Sequence, residues 1–340
     1  MSAAPASAIG SALVTGADGF TGAWLARALL EAGARVTALD CRDPASSALA
    51  LHGIDGEVEV VRGEVQDPAA VARALDAGAA DSVFHLAAQT LVGPAREHPA
   101  ATFEANVRGT WTLLEACRAR ETARVVVASS DKAYGPSETL PYREDDPLRA
   151  SFPYDASKAA ADIIARSYWH TYGLPVAVTR FANIYGGGDL NFSRLIPEAV
   201  AAVLRGRSPV LRSDGTPERD FLYVSDAADA YLAIAAGLEE GTARGHAYNA
   251  GGGHPHAVAE VVRLVCEIAG AEFEPEVLGA GGAPAGEIDR QYVDPAKLAG
   301  ELGWRPRVEL REGLERTVEW YRAHPELLPV ESVDAQRVGA

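Results

Sequence analysis

Thr15-Gly16-Ala17-Asp18-Gly19-Phe20-Thr21-Gly22 joins a short apolar run, Ala12 to Thr15, to a longer segment with helical periodicity, Phe20 to Ala32. Glycines at 16, 19 and 22 give the spacing G-x-x-G-x-x-G, which predicts a strand, a tight turn and a helix N-terminus. Such a turn sets backbone N–H groups and the positive helix end against a pyrophosphate. Gly16, Asp18, Gly19, Phe20, Thr21 and Gly22 are therefore candidate dinucleotide contacts. Three glycines also serve plain turns and close helix packing, so the motif takes its meaning from the elements around it.

Beyond the turn, short apolar runs alternate with helical patterns. Stretches at Arg35 to Asp40, Glu57 to Arg62, Ser82 to Leu86, Arg124 to Ser129 and Pro175 to Arg180 read as strands buried on both faces. Between them, Pro68 to Ala77, Thr102 to Ala119 and Ser157 to Tyr172 read as helices. The alternation predicts an α/β fold with a doubly wound parallel sheet. Beyond Arg180 the texture changes at Gly186-Gly187-Gly188 to mixed helices, short strands and loops, among them Gly251 to Gly253 and Gly279 to Gly286. We expect a first domain over residues 9–182 and a smaller mixed α/β C-terminal substrate lobe over 183–325, from which the chain is free to cross back. The ends, 1–8 and 326–340, read as disordered or flexible.

Asp40 closes the second strand, where a carboxylate accepts hydrogen bonds from an adenosine ribose diol and repels a 2′-phosphate. That favours NAD over NADP, while Arg42, two residues on, works against the preference.

Composition limits the rest. With 31 Lys+Arg against 47 Asp+Glu the net charge is -16, which leaves no broad basic field for nucleic acid or an anionic membrane. Cys41, Cys117 and Cys266 lack the spacing of a zinc site or a disulfide framework. No apolar run reaches the roughly 18 residues of a membrane span, and Met1 to Ala8 lacks a basic signal-like start, so a cytoplasmic protein is expected.

Tyr154-Asp155-Ala156-Ser157-Lys158 sets a phenol and an amine one helical turn apart. An ammonium there lowers the phenol pKa from about 10 and allows it to act as a base, although many such pairs are plain surface pairs. Ser129-Ser130-Asp131-Lys132-Ala133-Tyr134-Gly135 ends the fifth strand, at the edge where open α/β sheets form their ligand crevice. A hydroxyl, a carboxylate and an amine together there form an acid–base set, or a solvated turn. His254-Pro255-His256 is read as a polar loop opening a helix, not as a metal site, and no metal is expected. Trp304 and Trp320 are read as packing residues of the terminal lobe, and Glu144-Asp145-Asp146 as a solvated loop.

Taken together the motifs resemble the extended short-chain dehydrogenase/reductases, a Rossmann-type fold, and within them the nucleotide-sugar epimerase/dehydratase group. The resemblance covers about Ala12 to Tyr321. It rests on the glycine turn, His85-Leu86-Ala87-Ala88-Gln89, Asn106-Val107-Arg108-Gly109-Thr110, Tyr154 with Lys158, Arg180-Phe181-Ala182-Asn183-Ile184-Tyr185-Gly186, Arg219-Asp220-Phe221 and Leu302-Gly303-Trp304-Arg305-Pro306.

The resemblance implies that Tyr154 takes the sugar 4-hydroxyl proton, that Lys158 tunes it and holds the nicotinamide ribose, and that Ser130 is the hydroxyl partner. It adds Leu86, Ala87, Ala88 and Gln89, with Glu64 and Val65, to the cofactor contacts. Glu64 stands where the family usually has aspartate. It implies that Arg219 clamps the substrate diphosphate with Arg290 as a second clamp, and that Gln89, Ser130, Asn183, Asn191, Arg194 and Arg212 contact substrate.

Asp131-Lys132, His85 to Val92, Gly186 to Pro197 and Val210-Leu211-Arg212 are similar to CDP-glucose 4,6-dehydratases. In that reading Asp131 is the acid that protonates the departing 6-hydroxyl, and Lys132, in its neutral form, the base that takes the C5 proton. Arg219 to Val224 and Glu287 to Arg290 lie closer to the wider epimerase and to the dTDP-glucose or GDP-mannose dehydratase pattern, and Asp-Lys also occurs in UDP-N-acetylglucosamine dehydratases. A 4-epimerase, and a protein that binds NAD without turnover, stay open beside the dehydratase. The resemblance also implies a homodimer through a four-helix bundle of the helices at 102–119 and 157–172.

Overall fold

The computed structural model describes residues 9–43, 47–279 and 288–329. The expected disorder of 1–8, the end of the tail, and all but the first residue of the Gly279 to Gly286 loop lie outside the described residues. Of the tail, Pro325–Leu327 forms a 3-10 turn, and Arg205 donates to the carbonyls of Pro325 and Leu328.

Six strands follow the expected order: β1 (Ser11–Thr15), β2 (Arg35–Asp40), β3 (Glu59–Arg62), β4 (Ser82–His85), β5 (Arg124–Ala128) and β6 (Val176–Phe181). With the strand Ala247–Ala250 they form one seven-stranded sheet, ordered Ala247–Ala250, β6, β5, β4, β1, β2, β3. Every pairing is parallel. The seventh strand escapes sequence reading because Ala247-Tyr248-Asn249-Ala250 carries no run of β-branched residues. The chain leaves β1 outward to β2 and β3, then returns to β4 on the other side. Strand order therefore reverses between β1 and β4, the switch point at which open sheets bind ligands beyond their carboxyl ends.

Leu13, Val83, Val125, Val127, Val176 and Val178 are fully buried in a single apolar cluster with Leu113 and Leu114 of the helix Gly109–Ala119. Each such side chain contributes about 1.5–3 kcal/mol relative to exposure, which holds the strand ends, and the residues just past them, in register.

Two helices depart from expectation. The helix expected from Thr102 to Ala119 is divided into Pro99–Phe103, a π turn at Glu104–Arg108, and Gly109–Ala119. The helix expected from Ser157 starts at Pro153 and runs to Tyr172, because proline suits the first helical position and Asp155 complements the first turn. Tyr154 thus lies inside it.

The chain divides into two compact units. One comprises residues up to Phe181, Ser225–Ala250 and Val293–Arg305; the other comprises Ala182–Val224, Gly251–Tyr292 and the chain from Pro306. The chain crosses between them five times, and Trp304, read as part of the terminal lobe, belongs to the first unit, where its indole donates to the carbonyl of Asp226. The second unit holds a three-stranded sheet of His256–Ala257, Glu218–Arg219 and Arg290–Gln291, two further strand pairs, and the helices Leu195–Leu204, Val258–Ala269 and Leu310–Ala323. Trp320 packs there, its ring stacked on His324.

Candidate active site and cofactor cradle

The glycine turn is built for close backbone approach. Gly16 has φ +77°, and a Cβ there would fall 2.8 Å from the nitrogen of Ala87. At Gly22 a Cβ would fall 2.1 Å from the carbonyl of Gly16. The helix α1 (Phe20–Glu31) begins straight after Gly19 with no side-chain cap and no acidic residue in its first turn. Its leading N–H groups, Phe20 and Thr21 among them, therefore meet no carboxylate from their own first turn, which suits that end to an anion.

At the end of β2, Asp40 is 5% exposed. Its Oδ2 accepts from the backbone N–H of Asp18 at 3.0 Å and its Oδ1 from that of Arg42 at 3.0 Å. Each oxygen keeps a further lone pair for a ribose hydroxyl. Asp18 does not point outward; its carboxylate is fully buried and paired with Arg62 at 2.6 Å. Glu64 is exposed and accepts from the Gln66 amide, while Val65 beside it is buried.

Past β4, the backbone of Leu86 and Ala87 is tied to Thr15, and the Gln89 amide is engaged with the backbone of Leu91. Asn106, from the π turn, accepts from the N–H of Gln89 at 2.7 Å and donates to its carbonyl at 2.9 Å and to the hydroxyl of Ser157 at 2.8 Å. It locks the Ala88–Gln89 segment to the helix that carries Tyr154 and Lys158. The sequence offers Asn106 only as part of a motif; its role becomes visible when the π turn sets it inward.

His85 is buried and lies between two hydroxyls, Thr15 on Nδ1 at 2.8 Å and Thr110 on Nε2 at 3.1 Å. The Thr110 hydroxyl donates to the carbonyl of Asn106, so it accepts from Nε2–H, and Thr15 donates to Nδ1. Burial, reinforced by the positive charge of Lys158, pushes the imidazole pKa down to about 3, so the ring is neutral at physiological pH.

Lys158 and the segment after β5 complete this unit. The Lys158 ammonium is 6% exposed and donates to the carbonyl of Ala128 at 2.8 Å, and burial lowers its pKa to about 8. Ser129 donates back to the carbonyl of Lys158. Ser130 caps a 3-10 turn over Asp131–Tyr134: its hydroxyl accepts from the N–H of Lys132 and donates to Asp131 Oδ1 at 3.1 Å. Asp131 is 3% exposed, while Ser130, Lys132 and Tyr154 are half-buried. The end of β5 and the second turn of the helix Pro153–Tyr172 thus meet through Ser129, Ala128 and Lys158. A bidentate ion pair between Arg180 and Asp162, at 2.7 and 3.1 Å, anchors that helix to β6, and Arg180 also donates to the hydroxyl of Tyr134. Glu144, expected in solvated loop, instead accepts from the N–H of Asn249, and burial raises its pKa.

In the second unit, Asn183 donates from backbone and side chain to the carbonyl of Asp220, whose carboxylate accepts from Gly252. Asn191 organises a turn by accepting from Ser193, and Arg194 pairs with Asp189 at 2.9 Å. Arg212 is exposed and reaches the carbonyl of Ser193 at 3.5 Å. Arg219 is 8% exposed, with its guanidinium on the carbonyls of Glu218 and Asp289.

Arg290 is exposed, pairs with Glu218 at 2.7 Å and stands in register with it. Because side chains alternate along a strand, Arg290 lies on the opposite face from Arg219, so the structure does not bring those two cations together. Gln291 stands in register with Arg219, is fully buried, and keeps both amide atoms without a hydrogen-bond partner among the described residues. The sequence carries no signal for it. His256 is in register with Arg219 on the other side, and among the described residues no group of three or more His, Cys, Asp or Glu could hold a metal.

A glycine turn at a sheet's switch point, with a tyrosine and a buried lysine one turn apart beside a serine-capped strand end, defines a dinucleotide-dependent enzyme of the extended short-chain dehydrogenase/reductase type. Residues 12–251 match the NAD dependent epimerase/dehydratase family, and the chain belongs to that family. It is 34% identical over 330 residues to a dTDP-glucose 4,6-dehydratase of Xanthomonas campestris pv. campestris, covering 91% of this chain and 92% of that protein. DesIV, a dTDP-glucose 4,6-dehydratase from Streptomyces venezuelae solved with NAD bound, superposes with a TM-score of 0.84 at 32% identity, over 93% of this chain and 98% of that one. A UDP-glucose 4-epimerase from Thermus thermophilus in complex with NAD gives 0.80 at 33% identity, over 92% and 99%. Among the described residues no helix is long and apolar enough to cross a membrane.

Proposed function

We propose that the protein is an NAD-dependent nucleotide-sugar 4,6-dehydratase, a hydro-lyase that turns a nucleoside-diphosphate hexose into its 4-keto-6-deoxy product. The observation that carries this reading is the Ser130-Asp131-Lys132 turn, which sets a buried carboxyl and an amine at the end of β5, beyond what a 4-epimerase requires. Held by the glycine turn and Asp40, NAD would supply the hydride acceptor for C4 and the hydride donor for C6. Tyr154 accepts the 4-hydroxyl proton, with Lys158 as the adjacent positive charge. The resulting ketone acidifies C5; Lys132, in its neutral form, takes that proton and Asp131 gives one to the departing 6-hydroxyl, which leaves as water, and Lys132 returns a solvent-exchanged proton to C5 when C6 receives hydride. In the second unit Arg219 holds the diphosphate by charge, and Gln291 beside it supplies a hydrogen bond. Asn183, Asn191, Arg194, Arg212 and Arg290 remain proposed substrate contacts.

The similarity to CDP-glucose enzymes is not supported by the relatives, several of which are named for dTDP-glucose and others for UDP-glucose. We therefore take dTDP-glucose as the first candidate, and the Asp131-Lys132 pair keeps CDP-glucose beside it. The test is incubation in deuterated water with NAD and, separately, dTDP-glucose, CDP-glucose, UDP-glucose, GDP-mannose and UDP-N-acetylglucosamine, read by mass spectrometry. Loss of one water with one solvent deuterium retained on carbon supports the dehydratase and identifies its substrate. Unchanged mass with a new epimer overturns it in favour of an epimerase.

The partner we propose is a second copy of the chain. Phe103, Trp111, Ile163 and Tyr172, on the three helices Pro99–Phe103, Gly109–Ala119 and Pro153–Tyr172, are 40–57% exposed, which supports pairing through this face. Light scattering at micromolar concentration is expected to give twice the chain mass, and Trp111→Glu to give the monomer; a monomeric wild type would refute the pairing.

A further inference from the structure

We infer that the ion pair between the buried carboxylate of Asp18 and the solvent-facing guanidinium of Arg62 is a cofactor-specificity lock: it occupies the arginine that would otherwise complement a 2′-phosphate. The inference goes beyond the choice of substrate and beyond the contact made by Asp40. Four charges meet at the ends of β1, β2 and β3: Asp18, Asp40, Arg42 and Arg62. The ribose carboxylate Asp40 is held by the N–H groups of Asp18 and Arg42, each at 3.0 Å. Both arginines reach into the same corner. Arg42 donates to the carbonyl of Asp18 at 3.2 Å, and Arg62 donates to the carbonyl of Arg42 at 3.0 Å. β2 and β3 are in register with Asp40 opposite Arg62, so the guanidinium belongs to the ribose end of the site.

Two arginines beside a ribose are what a phosphate monoester requires, since planar guanidinium groups bind its oxygens bidentately. Here one of them is committed. Asp18 is 0% exposed, accepts from Arg62 at 2.6 Å, and accepts a further hydrogen bond from Ser47. A carboxylate so buried needs its counter-charge, and drawing Arg62 away toward a phosphate would leave it uncompensated. The corner then sums to zero formal charge, and the 2′-phosphate meets Asp40 with only Arg42 opposing it. For a bare 2′-hydroxyl the arrangement costs nothing. Asp18 is thus a positioning residue: its N–H orients Asp40 and its side chain withholds Arg62.

The test is equilibrium binding of NAD⁺ and NADP⁺ to protein stripped of nucleotide, by calorimetric titration, for the wild type, Asp18→Asn, Asp18→Ser and each combined with Arg62→Ala. Neutralising Asp18 adds one net positive charge and frees Arg62, so the ratio of the NADP⁺ Kd to the NAD⁺ Kd is expected to fall at least about tenfold. Adding Arg62→Ala is expected to restore the wild-type ratio. Serine keeps a polar group for Ser47, so a readout remains if the asparagine variant does not fold, and a thermal melt identifies which variants are folded. An unchanged ratio in a folded variant, or a gain in NADP⁺ affinity that survives the loss of Arg62, overturns the lock. These measurements require no sugar substrate, so they stand or fall apart from the proposed reaction.

Discussion

Tyr154→Phe is expected to lower turnover by roughly a thousandfold, within the range by which a positioned base accelerates proton transfer. The substitution removes one oxygen and keeps the ring, the helix Pro153–Tyr172 and the Lys158 contact to Ala128. The proposed contacts at the glycine turn and Asp40 are untouched, so NAD affinity should stay within about threefold of wild type, about 0.65 kcal/mol. Steady-state kinetics alongside a binding titration checks both halves. Turnover within tenfold of wild type would remove Tyr154 from the role of base. Loss of NAD binding in step with turnover would assign it to the cofactor site instead.

Asp131→Asn and Lys132→Met should stop the reaction later, after oxidation at C4. Asparagine matches the shape of Asp131 and still accepts from the Ser130 hydroxyl, but carries no acidic proton. Methionine keeps the length of Lys132 without its amine. Each variant should form 4-keto-6-deoxy product about a hundredfold or more slowly, while reduced-nicotinamide absorbance still rises when substrate is added. The two should differ in deuterated water: recovered substrate exchanges its C5 hydrogen with Asp131→Asn and does not with Lys132→Met. If both variants still eliminate water at the wild-type rate, the assignment of acid and base to these residues fails, although the family membership stands.

Much of this site is legible in the chain because its parts sit directly after strands. Gly16 follows β1, Asp40 ends β2, Leu86 follows β4 and Ser130 follows β5, and in a parallel sheet all those ends lie on one edge. A local pattern therefore converts into a shared location without knowledge of the packing. The helix start at Pro153 was less accessible, since apolar periodicity marks the helix body better than its first turn. The π turn that sets Asn106 inward leaves no periodic trace, because it adds one residue within an otherwise helical stretch.

Other features depend on residues far apart in the chain. Glu144 reads as solvated in sequence, yet the seventh strand brings Asn249 to it across 105 positions. Arg219 and Arg290 read as two clamps, yet the strand register turns them to opposite faces and sets Gln291 beside Arg219. The pairing of Asp18 with Arg62 is equally long-range, 44 positions apart.

By itself, the sequence determined the doubly wound sheet and the glycine turn, and it placed the proposed Tyr154, Lys158 and Ser130 set on a helix start and a strand end, because strand and helix periods and the residues that end each strand are local properties of the chain. Only the tertiary structure decided which charges are committed to each other, which amide stands beside Arg219, and where the chain passes between its two units. Those outcomes depend on strand order and register, which bring distant residues to a few ångströms and set the burial that makes an unpaired charge or amide costly.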